Sequence, residues 1–555
     1  MTAATQEQAS ADLYGLDVES REMVLETVRQ LKTRLLTKEK ILQYDRNEIF
    51  PENAIREMLG PDIGLQLLFI PEAYGGMGGG ARDCCAVTRE MAKICLGVGT
   101  AFFAIQLGAD PIIVGGTEAQ KQKWLGTIAE GNSLVAYAVT EPGAGSNLAA
   151  LKTRAVPVLD AAGGLKGYTI NGTKQFISTG GYADFITLLA KTEKGPSFFI
   201  VEKNSRGFEC AKGEEKHGIR ASNTAPLSFS NVFVPAENLI GGVPGMGLKQ
   251  ANQVFGYTRL MVAAMALGAA EAAMDIAVQY ARERVQFGST LAEKQGYTHK
   301  LIVPHMVRLE AAAAYIEEIA ARLDAGEKDL QVEGSIAKLF TTEAANRAAD
   351  DAMQALGGYG YITEFAVEKI KRDVKITCIY EGTSEIQQNI IGTFRWKASR
   401  KTKGAFYGRM ASELRSADSA SGAALLGHCA AMLNAVIDLA HNHRLTRRQH
   451  LMFQLADMMT CVEVGCSLAR RADRLYKDGD ARAEKARMVL TLFAAETAAV
   501  FMKNVPAVVM GSGALDQKAA RALLSEWSYD RLLDGSAHTL TAMDALADML
   551  FERSQ

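Results

Sequence analysis

Net charge, metal-ligating cysteine pairs and long apolar runs are all scarce in this chain, and each shortage removes a class of protein. Its 61 Lys and Arg against 63 Asp and Glu leave a net charge of −2 over 555 residues, so no bulk attraction draws it to nucleic acid or to an anionic membrane. The eight cysteines, Cys84, Cys85, Cys95, Cys210, Cys378, Cys429, Cys461 and Cys466, show no metal spacing, and adjacent Cys84 and Cys85 cannot easily bridge each other. They read as reduced, mostly buried thiols. His441 and His443 are close, but nothing supplies the remaining ligands, so no metal site is expected. The longest apolar stretch, Leu260 to Ala270, is closed by Glu271 and falls short of the roughly 20 residues needed to span a bilayer. Met1 to Ser20 holds Glu7, Asp12, Asp17 and Glu19 and no apolar run, unlike a secretory signal or an arginine-rich transit peptide, so a cytoplasmic location is expected.

What is present is a large apolar fraction, 48%, beside 22% charged residues, in a chain too long for one ordinary core. The texture predicts an α+β multi-domain protein. Apolar residues recur at spacings of three and four through residues 1–130, which gives an N-terminal helical domain. Across 131–245 the period shortens into runs such as Leu134 to Val139, Tyr168 to Ile170, Phe185 to Ala190, Phe198 to Val201 and Leu227 to Val234, predicting a middle antiparallel β domain. Alanine-rich helical stretches return over 246–400 and suit a four-helix bundle. Charged, Ser and Gly residues over 401–420 read as a linker. Residues 421–555 form a further helical extension, with Leu455, Ala456, Met459 and Val462 as one stripe and Leu490, Phe493, Ala494 and Ala498 as another.

Three segments invite chemistry. In Ile379-Tyr380-Glu381-Gly382-Thr383-Ser384-Glu385-Ile386 a carboxylate follows apolar residues and precedes small ones; burial among Ile379, Tyr380 and Ile386 would push its pKa up and make it a useful base. An unshielded amide beside Gly382 could stabilise charge developing on a carbonyl. The competing reading is a helix-capping turn, with Thr383 or Ser384 capping a helix through Ile386, Ile390 and Ile391. The run Tyr137 to Asn147 ends a strand in a proline-glycine loop whose backbone, with Thr140 and Ser146, offers donors to a flat or anionic ligand. Lys174 to Gly181 repeats the theme, with the Phe176 ring two residues from the Ser178 hydroxyl.

Taken together, YAVTEPGAGSN at 137–147, KQFISTGG at 174–181, RERVQFG at 282–288, QALGGYGY at 354–361 and IYEGTSEIQ at 379–387 resemble the acyl-CoA dehydrogenase family in order and spacing, over roughly the first 400 residues. The resemblance implies that family's fold, with a barrel-like β domain between helical domains. It implies α,β-dehydrogenation of a saturated acyl-CoA to the trans-2-enoyl-CoA, with FAD as hydride acceptor and an electron-transfer flavoprotein as partner. Glu381 matches the family's base, and its backbone N–H would help to hold the thioester carbonyl. Tyr137, Val139, Thr140, Ser146, Phe176 and Ser178 would surround the flavin ring, with Phe176 standing where many members carry tryptophan.

By the same comparison Arg284, Phe287, Gln295, Gln354, Gly357 and Gly358 would hold the adenine and pyrophosphate of FAD from a neighbouring subunit. Thr383 and Glu385 would also face the cofactor, although many relatives have an amide or a shorter acid at the latter position. The resemblance would put substrate contacts on Ser146, Tyr257, Arg259, Tyr380 and Gly382, with Arg259 on the CoA side; its plain alternative is a surface salt bridge. Gly256 replaces an aspartate found in many members. The segment Gly97 to Gln106 aligns with the acyl-pocket helix and carries no charge, so an apolar tail is expected, with Phe102 and Phe103 either lining the pocket or filling the core.

The extension resembles the C-terminal domain of the very-long-chain branch, with further agreement at His217 to Ala225, and implies a homodimer. Arg444, Arg447 and Arg448 are its one dense basic cluster, enough for a weak peripheral membrane contact. Three alternatives remain within reach: an acyl-CoA oxidase, an enoyl-CoA reductase, and a non-catalytic assembly relative that has kept the fold. The chain ends Glu552-Arg553-Ser554-Gln555 without a peroxisomal signal, which favours the dehydrogenase over the oxidase.

Overall fold

The computed structural model describes residues 15–131, 133–417 and 422–552. They divide into two compact units rather than along the four sequence domains. The first contains the chain to Ala269 with 320–331 and 372–376; the second contains 270–319, 332–371 and residues from Thr377 onward.

The first unit opens with helices Val18–Arg34, Lys38–Arg46 and Glu52–Leu59. Their starts follow local capping chemistry: Asp17 accepts from the Ser20 amide at 2.7 Å and Thr37 from that of Lys40 at 3.4 Å. The long Ala81–Gly115 helix is interrupted at Cys95, whose φ of −164° and ψ of 116° are extended. Gly108 lets this helix pass close to the sheet, because a Cβ there would lie 2.6 Å from Val135 Cγ1.

Among the described residues the sheet has seven strands in the order β1 (Val135–Ala138), β4 (Phe185–Thr192), β2 (Arg154–Leu159), β3 (Leu165–Ser178), β7 (Thr224–Pro235) and β6 (Phe208–Cys210), with β5 (Gly195–Glu202) also paired to β4. β2 and β6 were not foreseen, the first because Pro157 and exposed Val156 break its alternation. The sheet is curled and mainly antiparallel, but β1 runs parallel to β4, from Val135 opposite Phe185 to Ala138 opposite Leu188. Such a pairing is fixed by contacts far apart in sequence, which periodicity does not carry. The inner face buries Ile170, Ile186, Leu188, Phe199, Val232 and Val234.

Among the described residues the second unit is helical apart from a hairpin of two short strands, Val285–Gln286 and Ser289–Thr290. The Gln331–Leu356 helix buries Ala344, Ala345, Ala348, Ala349, Ala352 and Ala355, small residues that allow close helix approach. Both extension stripes are buried as the 3.6-residue period predicts, on helices Gln449–Lys477 and Ala483–Val509. Bundle and extension pack on each other: half-buried Phe340 meets Phe493 edge-on at 5.7 Å.

The expected linker is not one. Ala405–Ser416 is a helix that buries Tyr407, Ala411 and Leu414, while 418–420 lie outside the described residues. Its polar surface masked a narrow apolar face. In the basic cluster Arg444 and Arg447 are exposed, and Arg448 donates to the Ser512 carbonyl at 2.6 Å. Contrary to the count of unbroken apolar runs, five helices among the described residues are long and apolar enough to cross a membrane, and most of each apolar window is buried within the fold.

Candidate active site

In the first unit β1 and β3 bring the two loop motifs together: the Gln175 amide donates to Thr140 O at 2.9 Å. Beneath that junction Lys174 is fully buried, and its Nζ donates to Val139 O at 3.0 Å and to Glu141 Oε1 at 2.8 Å. Glu141 also accepts from the amides of Lys152 at 2.6 Å and Thr153 at 3.0 Å. Burial pushes the Lys174 ammonium down to about 8, whereas for Glu141 the cost of burial is outweighed by Lys174 and by the hydrogen bonds from Lys152 and Thr153, which hold its carboxyl below the ordinary value. These two residues were missed as functional candidates. The available signal was a pair of opposite charges inside runs otherwise strand-like and apolar.

Directly after Lys174 the β3–β7 register slips: Lys174 faces Leu227 but Ile177 faces Ala225, so one extra residue bulges from β3. A bulge re-aims side chains. Phe176 lies in it at φ +60° with its ring 62% exposed, and Thr179 follows at φ +60°, its Oγ1 buried and without a hydrogen-bond partner among the described residues. Ser178 and Thr140 are half-buried, Val139 is buried and Ser146 is exposed. Tyr137 lies 5.7 Å from the Phe198 ring and 6.3 Å from that of Phe255.

Phe102 and Phe103 belong to the core, packed edge-on at 5.1 Å with Phe69 at 6.1 Å from Phe102. Arg259 is buried, which removes the surface salt-bridge reading; its guanidinium sits 5.9 Å from the Phe255 ring, and Tyr257 is half-buried.

In the second unit Glu381 and Gly382 form consecutive left-handed residues, at φ +56° and +92°. For a non-glycine residue this costs on the order of 1–2 kcal/mol, so the surroundings must enforce it. They do so through the main chain. Gln387 Nε2 donates to Glu381 O at 3.1 Å and to Gly382 O at 2.8 Å, and buried Lys338 donates to Gly382 O as well. Thr383 caps the Ser384–Lys401 helix through the Ile386 amide at 3.4 Å, and Ser384 donates to Glu343 at 2.7 Å. The capping reading is therefore right for Thr383 and leaves Glu381 outside the cap. Glu381 and Tyr380 are half-buried, but Ile379 is 48% exposed, so the apolar surround foreseen for the carboxylate is incomplete within the chain. Glu385 is exposed on the first turn.

The same unit gathers the other motif residues on an exposed face. Phe287 and Gly288 are the central pair of the hairpin turn at φ +51° and +83°, and the Phe287 ring is 97% exposed. Such turns favour Asn or Gly, so phenylalanine there is not explained by turn chemistry. Tyr280 packs on Tyr359 at 6.2 Å, and Tyr297 donates to Ala355 O at 3.1 Å, joining this hairpin's base to the end of the Gln331–Leu356 helix. Arg284, Gln354, Gly357 and Gly358 are exposed, and Gln295 donates to Asp544 at 2.8 Å.

The strand-bulge platform of the first unit, and the strained carboxylate turn and exposed glycine-aromatic face of the second, belong to a fold with known counterparts. Models of the acyl-CoA dehydrogenase N-terminal, middle and C-terminal domains match residues 18–132, 136–232 and 245–394. The chain belongs to the acyl-CoA dehydrogenase family, a family of oxidoreductases. It is 37% identical to the cyclohex-1-ene-1-carbonyl-CoA dehydrogenase of Geobacter metallireducens over 67% of this chain and 97% of that one. It is 39% identical to the acryloyl-CoA reductase (NADH) of Anaerotignum propionicum over 63% and 88%. A solved acyl-CoA dehydrogenase of Bacillus anthracis, complexed with FAD, superposes with a TM-score of 0.84 at 24% identity over 97% of this chain and 95% of that one. That likeness is one of fold, and it extends through the C-terminal extension.

Proposed function

We infer that the chain is an FAD-dependent acyl-CoA dehydrogenase that removes the α-proton of a saturated acyl-CoA with Glu381 and delivers its electrons to an electron-transfer flavoprotein. The observation that carries this reading is the Glu381 turn: a half-buried carboxylate held at left-handed φ by donors to its backbone, with the adjacent helix capped by another residue. An α-proton is weakly acidic, so its removal needs a positioned base, and general base catalysis of this kind contributes about 10²–10⁴-fold. The Glu381 amide suits the thioester carbonyl, where negative charge develops as the proton leaves.

The residues fit FAD. Phe176 presents an exposed ring for the flavin, and Thr140, Ser178 and Thr179 supply hydroxyls beside it. At Gly143, Gly145, Gly357 and Gly358 an added Cβ would meet nothing within 4 Å, which leaves backbone open to a close ligand. Arg284 offers a cation for the pyrophosphate, and the exposed Phe287 and Tyr361 suit a face completed by a second copy, hence a homodimer. When bound, FAD supplies the two-electron acceptor for the β-hydrogen. Arg259 and Tyr257 would meet the CoA portion, and cytoplasmic fatty-acid β-oxidation is the setting this chemistry suits.

The reverse reaction, enoyl-CoA reduction, is favoured by one observation, the similarity to a relative named as a reductase. The dehydrogenase reading is tested by recording the flavin spectrum of the purified protein and adding saturated acyl-CoAs of increasing length, anaerobically and then in air. Bleaching by one chain class identifies the substrate, fast recolouring in air reveals an oxidase, and absence of flavin or of bleaching by any thioester overturns the dehydrogenase.

A further inference from the structure

The Gln331–Leu356 helix turns one ridge towards the segment that carries Glu381. Lys338, Thr342 and Asn346 recur every four residues, the spacing that stacks side chains on one helix face. Asn346 Nδ2 lies 3.2 Å from Cys378 Sγ and 2.9 Å from Thr342 O, Glu343 accepts from Ser384 Oγ at 2.7 Å, and Lys338 Nζ donates to Gly382 O. The lysine is fully buried. A buried ammonium is retained against a large desolvation cost, so its place in the fold calls for a role.

We propose that Lys338 is a positioning residue for the reaction, clamping the Gly382 carbonyl so that the left-handed Glu381-Gly382 pair keeps the carboxylate and its own amide aimed at the α-carbon and the thioester carbonyl. This rests on the assignment of Glu381 as base. Gln387 fixes the peptide plane after Glu381 and shares with Lys338 the plane after Gly382. Two successive peptide planes are thereby immobilised, and at Gly382, which has no side chain to resist rotation, the lysine is a charged donor among those that hold the plane. Without it the turn gains freedom at the two dihedrals that determine where the base stands.

The test uses the FAD-loaded enzyme and follows exchange of the acyl-CoA α-hydrogens with deuterated water by mass spectrometry, anaerobically, beside FAD content and the acyl-CoA dissociation constant. In Lys338→Met, FAD content and dissociation constant are expected to stay within about twofold of the parent while exchange slows by about 10²-fold, the scale of a small misplacement of a catalytic group. Gln387→Leu should shift the same readout in the same direction, and Lys338→Arg, which keeps a cationic donor, should recover exchange to within about tenfold of the parent. Should Lys338→Met fail to fold, the other two variants decide. Parental exchange in folded Lys338→Met, no recovery in folded Lys338→Arg, or a parallel loss of FAD, binding and exchange would overturn the clamp. Exchange that survives Glu381→Gln would instead overturn the base assignment, whatever Lys338 does.

Discussion

Glu141 and Lys174 are 33 residues apart in the chain and 2.8 Å apart in the fold, both buried, and they fasten the proline-glycine loop to the strand that bulges at Phe176. The ion pair sits under the two loops that carry Thr140, Phe176 and Ser178, the residues proposed to meet the flavin. Breaking a buried pair from one side leaves an uncompensated charge and typically costs about 3–5 kcal/mol. Lys174→Met is therefore expected to lower stability by that amount in denaturant melts and to reduce the FAD retained on purification.

The same pair has a definite acid response. Because the folded-state pKa of Glu141 is depressed, its stabilisation is fully present above the ordinary carboxylate range and is lost as pH falls through the lowered value. Melting temperature followed from neutral to acid pH should show a decline that is shallower in Glu141→Gln, which also starts lower at neutral pH.

Glu381→Gln keeps the shape of the side chain and removes its capacity to accept a proton. Flavin content should be unchanged, and the rate of anaerobic bleaching by the best acyl-CoA should fall by about 10²–10⁴-fold. A variant within tenfold of the parent would place the base elsewhere.

Gly382→Ala strains the turn itself. At φ +92° a side chain is disfavoured, and the new Cβ would lie 2.6 Å from Gln387 Nε2, the donor that holds this turn. The backbone term alone is about 1–3 kcal/mol. Melts should show a loss of that order, together with a larger fall in kcat than in acyl-CoA affinity.

Arg395 on the Ser384–Lys401 helix reaches into the extension, where its Nε and Nη2 each meet Glu463 at 2.8 Å, while Nη2 also lies 2.9 Å from Glu333 and Tyr407 donates to Glu463 at 3.0 Å. Arg395→Met should cost about 3–5 kcal/mol, since two carboxylates lose their buried cation. Lysine should restore only part of it, because an ammonium cannot match the forked geometry. Unfolding monitored by circular dichroism and by flavin fluorescence checks both.

The sequence disclosed what is periodic or contiguous. The stripes at Leu455 to Val462 and Leu490 to Ala498 pack as spaced, and the Thr383 cap needs only residues within one turn. It hid what depends on distant partners. The parallel seat of β1 beside β4, the Glu141–Lys174 pair and the Arg395–Glu463 fork join residues 33 to 68 positions apart. The Phe176 bulge was equally invisible, since one extra residue in a strand alters no composition. In Ala405–Ser416 charge and glycine concealed Tyr407 and Leu414, whose spacing matters more than the company they keep.

The fork at Arg395 also bears on how the enzyme fails. The helix that begins three residues after Glu381 carries at Arg395 a charge network completed by the extension, so the last quarter of the chain helps to hold the helix that follows the Glu381 turn. Heat or proteolysis that loosens the extension should silence the turn before the first unit melts, because Arg395 would lose Glu463 together with the apolar surface around it.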